Sequence, residues 1–210
     1  MNDPLEQYIR EHSREEDSLL KSLSRATHLK ALNPQMASGH LQGQVLEMLS
    51  NMIRPERILE IGTFTGYSAI CLAKGLKEGG HLHTIEINDE LEQVTRGYFK
   101  EAGLENTITQ HIGSAIDIIS QIDETFDLVF IDGDKRQYCQ YYDLIINKVR
   151  PGGFILVDNV LWHGKVVGEV VSKDKQTIGV MQFNDKIIKE EGVSHVILPI
   201  RDGLMIIRKN

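Results

Sequence analysis

The sequence predicts an α/β fold, one seven-stranded mixed sheet with N-terminal helices and a C-terminal antiparallel hairpin. Three observations predict it. Five short apolar runs alternate with stretches of helical periodicity, the pattern of parallel strands joined by crossover helices. The first run, RILEI (57–61), passes through a turn bracketed by Gly62 and Gly66 into a helical stretch, YSAICLAKG (67–75). The last two runs, VSHVILPI (193–200) and GLMIIRK (203–209), are joined by Arg201-Asp202 alone. That link is too short for a crossover, so the pair must be antiparallel.

The elements follow in order. Residues 3–31 carry an apolar stripe of Leu19, Leu20, Leu23, Ala26 and Leu29, with Ser13 and Glu16 spaced as a capping box. A second helix runs from about Gly39 (GHLQGQVLEMLSNMI) and stops before Pro55. The first strand and its helix come next. Gly79-Gly80 turns the chain into a strand, HLHTIEI (81–87), and Asn88 or Asp89 is placed to cap a helix reaching about Ala102. ENTITQHI (105–112) is a third strand, followed by a short helix over 114–121. FDLVFI (126–131) is almost wholly apolar and so reads as a central strand. A helix covers 135–148, Pro151-Gly152-Gly153 turns into FILVD (154–158), a loop spans 159–177, and a helix covers 178–191.

With 210 residues, 41% of them hydrophobic and 25% charged, the chain reads as one domain. Residues 1–54 form a helical extension and 55–210 the core. A net charge of −7 argues against general attraction to nucleic acid or to an anionic membrane. Cys71 and Cys139 both fall in helical stretches, which suggests no disulfide framework and fits a reducing cytoplasm. The polar N-terminus predicts no signal peptide, and no apolar run reaches the length of a membrane span.

Several residues could carry chemistry. A strand, glycine turn and helix suggest a ligand site at the sheet's carboxyl edge, where glycines let a ligand approach the backbone, and the alternative is a strand–turn–helix with no ligand. The spacing G-x-x-x-G is not a dinucleotide fingerprint, and Glu60 lies two residues before Gly62. That carboxylate repels a pyrophosphate and suits a ligand with an ammonium group. Glu86 ends the second strand, where an acid accepts bonds from ribose hydroxyls. Asp132 ends the fourth strand and Asp158-Asn159 the fifth, at the same edge. Three oxygen donors there suit a hard divalent cation such as Mg²⁺, Ca²⁺ or Mn²⁺, and the alternative is helix capping. Lys135 lies three residues beyond Asp132 and could reach the same site as a base; its alternative is a solvated helix-start lysine. His81 and His83 share a strand face and read as ordinary strand residues.

The chain resembles the cation-dependent, S-adenosylmethionine-dependent O-methyltransferases of the caffeoyl-CoA and catechol type. The matching stretches are MASGHLQGQ (36–44), LEIGTFTGYS (59–68), Glu86 in HTIEI, IGSA (112–115), FIDGDK (130–135), GGFILVDNVLW (152–162) and DGLMIIRK (202–209). The resemblance implies a Rossmann-like class I methyltransferase fold. It implies that Glu60, Gly62, Thr63 and Ser68 hold the methionine part of S-adenosylmethionine, with Ser38 also touching it. Glu86 would take the ribose, Ala115 would present its backbone to the adenine, and Asp132 and Asp134 would lie against the cofactor. Asp132, Asp158 and Asn159 would bind the divalent cation, and Lys135 would be the catalytic base beside the acceptor, with Asp132 next to it. Trp162 and His163 would face the substrate.

The chain departs from the plant members in three places. Gln42 stands where they have an acid, His163 replaces a substrate-facing Asn, and their basic coenzyme A-contacting N-terminal segment is not recognisable. The expected acceptor is therefore a small hydroxylated molecule, a catechol or another vicinal diol. Two rivals are a hydroxylated tRNA base, with Lys165, Lys173 and Lys175 as a basic rim, and a non-catalytic nucleotide-binding module. A cytoplasmic homodimer is the expected state.

Overall fold

The structure, a computed structural model, describes residues 4–31, 33–169 and 171–210. Its sheet comprises β1 (Arg57–Ile61), β2 (His81–Glu86), β3 (Ile108–Ile112), β4 (Phe126–Ile131), β5 (Val149–Val157), β6 (Val193–Leu198) and β7 (Leu204–Lys209). The spatial order is β3-β2-β1-β4-β5-β7-β6. The first five strands run parallel to one another, and β7 runs antiparallel to both β5 and β6. β4 is the middle strand and buried along its whole length, as its apolar sequence requires. Strand order reverses between β1 and β4, which opens a crevice at their carboxyl ends.

Alternation along β4 divides the core. Val129 and Ile131 pack with Tyr138, Tyr142 and Phe183, under α6 (Ala115–Gln121), α7 (Tyr138–Ile145) and α8 (Lys175–Ile187). Leu128 and Phe130 face Leu23, Leu46, Ile70 and Phe99, under α2 (Ser18–Lys30), α3 (Gly39–Ile53), α4 (Tyr67–Ala73) and α5 (Glu92–Glu101). α1 (Pro4–Glu11) precedes this layer. Among the described residues, no helix is long and apolar enough to cross a membrane.

Because β7 is antiparallel to β5, its start pairs with β5's end, Val157 against Met205. The β6–β7 turn therefore emerges at the same edge as the β5 loop. Val160 N donates to the Gly203 carbonyl at 3.1 Å and Leu161 N to the Asp202 carbonyl at 2.9 Å.

Several boundaries differ from expectation. Residues 3–31 do not form one helix; α1 and α2 are separated by 12–17. Ser13 is not an N-cap. Its hydroxyl donates back to Ile9 O at 2.6 Å, while Asp17 caps α2 by accepting from Leu19 N at 2.9 Å. Glu16 is taken instead by the Tyr67 hydroxyl at 2.7 Å. In the apolar stripe Leu29 is 76% exposed, and Thr27 takes the buried place. Asn88 accepts from Glu90 N in a local turn, and α5 starts only at Glu92. β5 begins at Val149 rather than 154, because Val149 pairs with Phe126 and the Pro151-Gly152 excursion is absorbed as a register shift. α8 begins earlier than expected, at Lys175, capped by Asp174.

Candidate active site

The crevice begins at the glycine turn after β1. Gly62 has φ +103°, and a Cβ there would sit 2.3 Å from the Asp132 carbonyl oxygen. The glycine is therefore required first by the close pass of β1's end under β4, and only secondarily by any ligand. Gly62 N and Thr63 N both donate to Ile85 O, which pins the turn to β2. A pocket opens above it, lined by Met36, Ala37, Ser38, Gly62, Thr63, Phe64, Thr65, Tyr67, Ser68 and Asp132. Five residues marked in the sequence, Ser38, Gly62, Thr63, Ser68 and Asp132, thus meet in one place. The N-terminal helices are tied to the same turn. Thr27 Oγ1 in α2 donates to Thr65 Oγ1 at 3.0 Å, and Tyr67 Oη to Glu16 as described.

Glu60 lies beneath the pocket with no exposed surface. Burial pushes its carboxyl up to about 8, opposed by the hydroxyls of Ser68 and Thr84 and reinforced by the charges of Asp132 and Glu86. Thr84 Oγ1 donates to Glu60 Oε2 at 2.5 Å, whereas Oε1 has no partner of good geometry. A buried carboxylate with a spare oxygen is a site for a cation with hydrogens to donate. Glu86, one strand over, accepts from Phe64 N at 2.7 Å and Asn88 N at 3.0 Å. These bonds fix its orientation and leave each oxygen a further lone pair. Gly113 N donates to the Glu86 carbonyl at 2.8 Å, so the loop leading to Ala115, first residue of α6, stands beside it.

Asp132 and Asp158 follow directly on the paired residues Ile131 and Val157. Neighbouring strands thus deliver two carboxylates side by side. Asp158 is 2% exposed and its Oδ1 has no hydrogen-bond partner. Burial raises its carboxyl to about 6, with the charge of Asp132 adding to the rise and the Gln42 amide opposing it. That amide is near Asp158 without full hydrogen-bond geometry, since Gln42 Nε2 is itself unpartnered. Asn159 follows in the left-handed region at φ 58°, which asparagine tolerates. Lys135 is buried in a 3-10 turn, Lys135–Gln137, with Nζ 2.8 Å from Asp132 Oδ1. The same Nζ lies 5.4 Å from the Tyr138 ring centre and 5.8 Å from that of Trp162.

Lys135 offsets Asp132, but the orphaned buried oxygen of Asp158 beside that second carboxylate still lacks a cationic or hydrogen-donating partner. Asn159, next in sequence, would add an amide oxygen, and such an all-oxygen set would fit a hard divalent ion. Among the described residues no group of three or more His, Cys, Asp or Glu is arranged for a metal, so the set rests on this amide as its third donor.

Other marked residues have contacts of their own. The Asp134 carboxylate caps the 3-10 turn and pairs with Arg136, whose guanidinium holds it below the usual range. Trp162 has φ 44° and a buried Nε1 with no partner. His163 is exposed, its backbone N donating to the Asp202 carboxylate. His81 and His83 form a separate group, with His83 Nδ1 2.9 Å from His111 Nε2. Lys165 of the supposed basic rim is paired with Asp174 at 2.8 Å. The sequence reading missed Thr84, Tyr138 and Arg201. Tyr138 donates to the Asp158 carbonyl at 3.0 Å, and Arg201 donates to Gln42 at 2.6 Å. A hydroxyl in a strand and an arginine in a turn carry no local signal of such contacts.

Comparison with known proteins gives concordant results. A family profile described as O-methyltransferase matches residues 10–210. A mouse protein, catechol O-methyltransferase domain-containing protein 1, is 32% identical over 208 residues, covering 97% of this chain and 79% of that one. Caffeoyl-CoA O-methyltransferase 2 of Populus trichocarpa is 31% identical over 221 residues, covering 99% and 89%. The crystal structure of an O-methyltransferase from Bacillus cereus in complex with SAH superposes with a TM-score of 0.91 at 30% identity, covering 98% of this chain and 97% of that one.

Proposed function

The chain belongs to the O-methyltransferase family, and from that premise we propose that it moves the methyl group of S-adenosylmethionine to one hydroxyl of a catechol-like vicinal diol, with a divalent cation in the acceptor half of the site. S-adenosylmethionine-dependent O-methylation is the reaction class of the family. The metal and the diol are our reading. The observation that carries it is the pairing of Asp132 with a buried Asp158 whose Oδ1 is unpartnered, beside Lys135.

The residues divide into two halves. On the cofactor side, Glu60 takes the ammonium group, and Gly62, Thr63, Ser68 and Ser38 enclose the methionine part. Glu86 takes the ribose hydroxyls, and Ala115 offers its backbone to the adenine. Asp134, turned to Arg136, would lie near the cofactor through the turn it caps. On the acceptor side, Asp132, Asp158 and Asn159 would hold the cation, which would supply Lewis acidity to the acceptor hydroxyls. Trp162 and His163 wall the acceptor. Lys135 Nζ takes or stabilises the hydroxyl proton. The acceptor oxygen then displaces the sulfonium in line: the O–C bond forms as the C–S bond breaks, and S-adenosylhomocysteine leaves. Little covalent help is needed, so positioning dominates.

The test is labelled methyl transfer to catechol, phenol, a hydroxycinnamoyl thioester and hypomodified tRNA, each with and without chelator. Catechol should be methylated, excess EDTA should abolish turnover, and Mg²⁺ or Mn²⁺ should restore it. Full activity in EDTA, or equal rates on phenol and catechol, sinks the chelation reading. Transfer to tRNA that collapses with salt would favour the tRNA base instead. That reading is weakened by the Lys165–Asp174 pair, which neutralises part of its rim. Binding of NAD in preference to S-adenosylhomocysteine would favour the non-catalytic module.

We read the chain as one methyltransferase domain, 1–54 as helical extension and 55–210 as core, and as a homodimer, which light scattering at micromolar concentration tests. The free thiols of Cys71 and Cys139 fit a cytoplasmic setting.

A further inference from the structure

Arg201 sits in the β6–β7 turn, 159 residues beyond Gln42, yet its guanidinium reaches the start of α3. Its Nη1 donates to Gln42 Oε1 at 2.6 Å, to the Ala37 carbonyl at 3.2 Å and to the Ser38 carbonyl. A guanidinium has donors and no acceptor, so it can face only the carbonyl end of the Gln42 amide. The orientation of that amide is thereby settled, and its NH₂ end must point away from Arg201. Gln42 is 1% exposed, and its Nε2 is buried without a partner. Asp158 Oδ1, also buried, has no partner either. One atom is a donor and the other an acceptor.

We propose that Arg201 is a positioning residue for the acceptor half of the site: it locks the Gln42 amide so that Nε2 is aimed at Asp158 Oδ1 and holds that carboxylate in the orientation a divalent cation requires. This rests on the metal reading above. Outer partners that orient a ligand are known to matter nearly as much as the ligand itself. The arrangement also explains an oddity of the turn. Arg201 adopts φ 49°, a left-handed conformation that a glycine would take without strain. The strained side chain persists because its guanidinium is used.

That same strain supplies a clean variant. Arg201→Gly removes the guanidinium and relaxes the turn, so the thermal midpoint, recorded alongside, is not lowered through the turn itself. Mn²⁺ is titrated calorimetrically into metal-stripped protein without acceptor. Arg201→Gly and Gln42→Met should each weaken Mn²⁺ binding by about 10- to 100-fold. Arg201→Lys should recover part of the loss. The double variant should bind no more weakly than the weaker single one, because both act through one amide. Wild-type Mn²⁺ affinity in Arg201→Gly, or losses that add in the double variant, overturns the inference. If Asp158→Ala loses Mn²⁺ while Arg201→Gly keeps it, this inference alone falls. If the wild-type protein binds no Mn²⁺, or Asp158→Ala binds it unchanged, the metal reading falls and takes this inference with it.

Discussion

Lys135 Nζ and Asp132 Oδ1 stand 2.8 Å apart, three residues from each other on a single turn of chain. The lysine is buried. Lys135→Met keeps the stem's bulk and removes the group proposed to handle the proton. Turnover should fall by about 10²- to 10⁴-fold, the usual range for loss of a general acid–base group. S-adenosylhomocysteine affinity, measured by calorimetry, should be unchanged. Undiminished single-turnover rates would remove Lys135 from the chemistry.

Asp158→Ala should lose turnover and keep its affinity for S-adenosylhomocysteine, because the cofactor half, as proposed, is built from other residues. Loss of both together would mean that Asp158 supports the crevice as a whole.

Glu60 gives the protein a pH signature. Its carboxyl sits at about 8 in the folded, cofactor-free protein, against an ordinary 4.5, because burial disfavours the charge. Between those values the folded state holds a proton that the unfolded state has released. Glu60's contribution to stability therefore falls as pH rises from 4.5 towards 8, and levels off above. An ammonium ligand binds the ionised carboxylate, so cofactor binding at neutral pH should expel about one proton. Calorimetry in buffers of different ionisation enthalpy reads that number directly. Glu60→Gln should abolish it. An enthalpy independent of buffer in the wild-type protein would show that Glu60 does not meet the ammonium.

Glu86→Ala should weaken S-adenosylmethionine binding by roughly 1.5–3 kcal/mol, the worth of hydrogen bonds to a charged group. It also releases Phe64 N and Asn88 N. Glu86→Gln retains an acceptor and should lose less. Unchanged affinity in Glu86→Ala counts against the ribose assignment.

Two glycines with positive φ should respond differently to alanine. Gly62 has φ +103° and no room, since its Cβ would meet the Asp132 carbonyl at 2.3 Å. Gly79 has φ +74° and nothing within 4 Å. Gly79→Ala should cost on the order of 1 kcal/mol from backbone strain alone. Gly62→Ala should cost on the order of 3 kcal/mol or more and disturb the aspartate as well. Urea unfolding of both variants makes the comparison, and equal losses would refute the close-approach argument.

The strands were readable because each is a short apolar run, and the parallel order follows from the helices between them. The placement of Asp132 and Asp158 at one edge follows from their strands' direction. Other features depended on partners far along the chain. The Ser13–Glu16 capping box has the right spacing, but Tyr67, 51 residues away, takes the glutamate, and Asp17 caps instead. Asn88 looks like a helix cap and spends its side chain on Glu90 N. Pro151-Gly152 looks like a turn that begins β5, but Val149 already pairs with Phe126. Arg201 and Gln42 carry no mutual signal at all. Local pattern locates elements; it does not reveal which side chains tertiary contact will recruit.

The reversed final hairpin makes the two halves of the crevice unequal in their tolerance of change. The proposed cofactor half is made of strand ends, where replacing Gly62 disturbs the sheet itself. The proposed acceptor half borders two loops, 159–168 and 200–203, stitched together by the backbone bonds from Val160 N and Leu161 N to the hairpin turn. Backbone bonds are indifferent to side-chain identity. Residues such as Leu161, His163 and Lys165 can therefore be exchanged without unpicking a strand, and the range of acceptors can drift while the methyl donor stays the same.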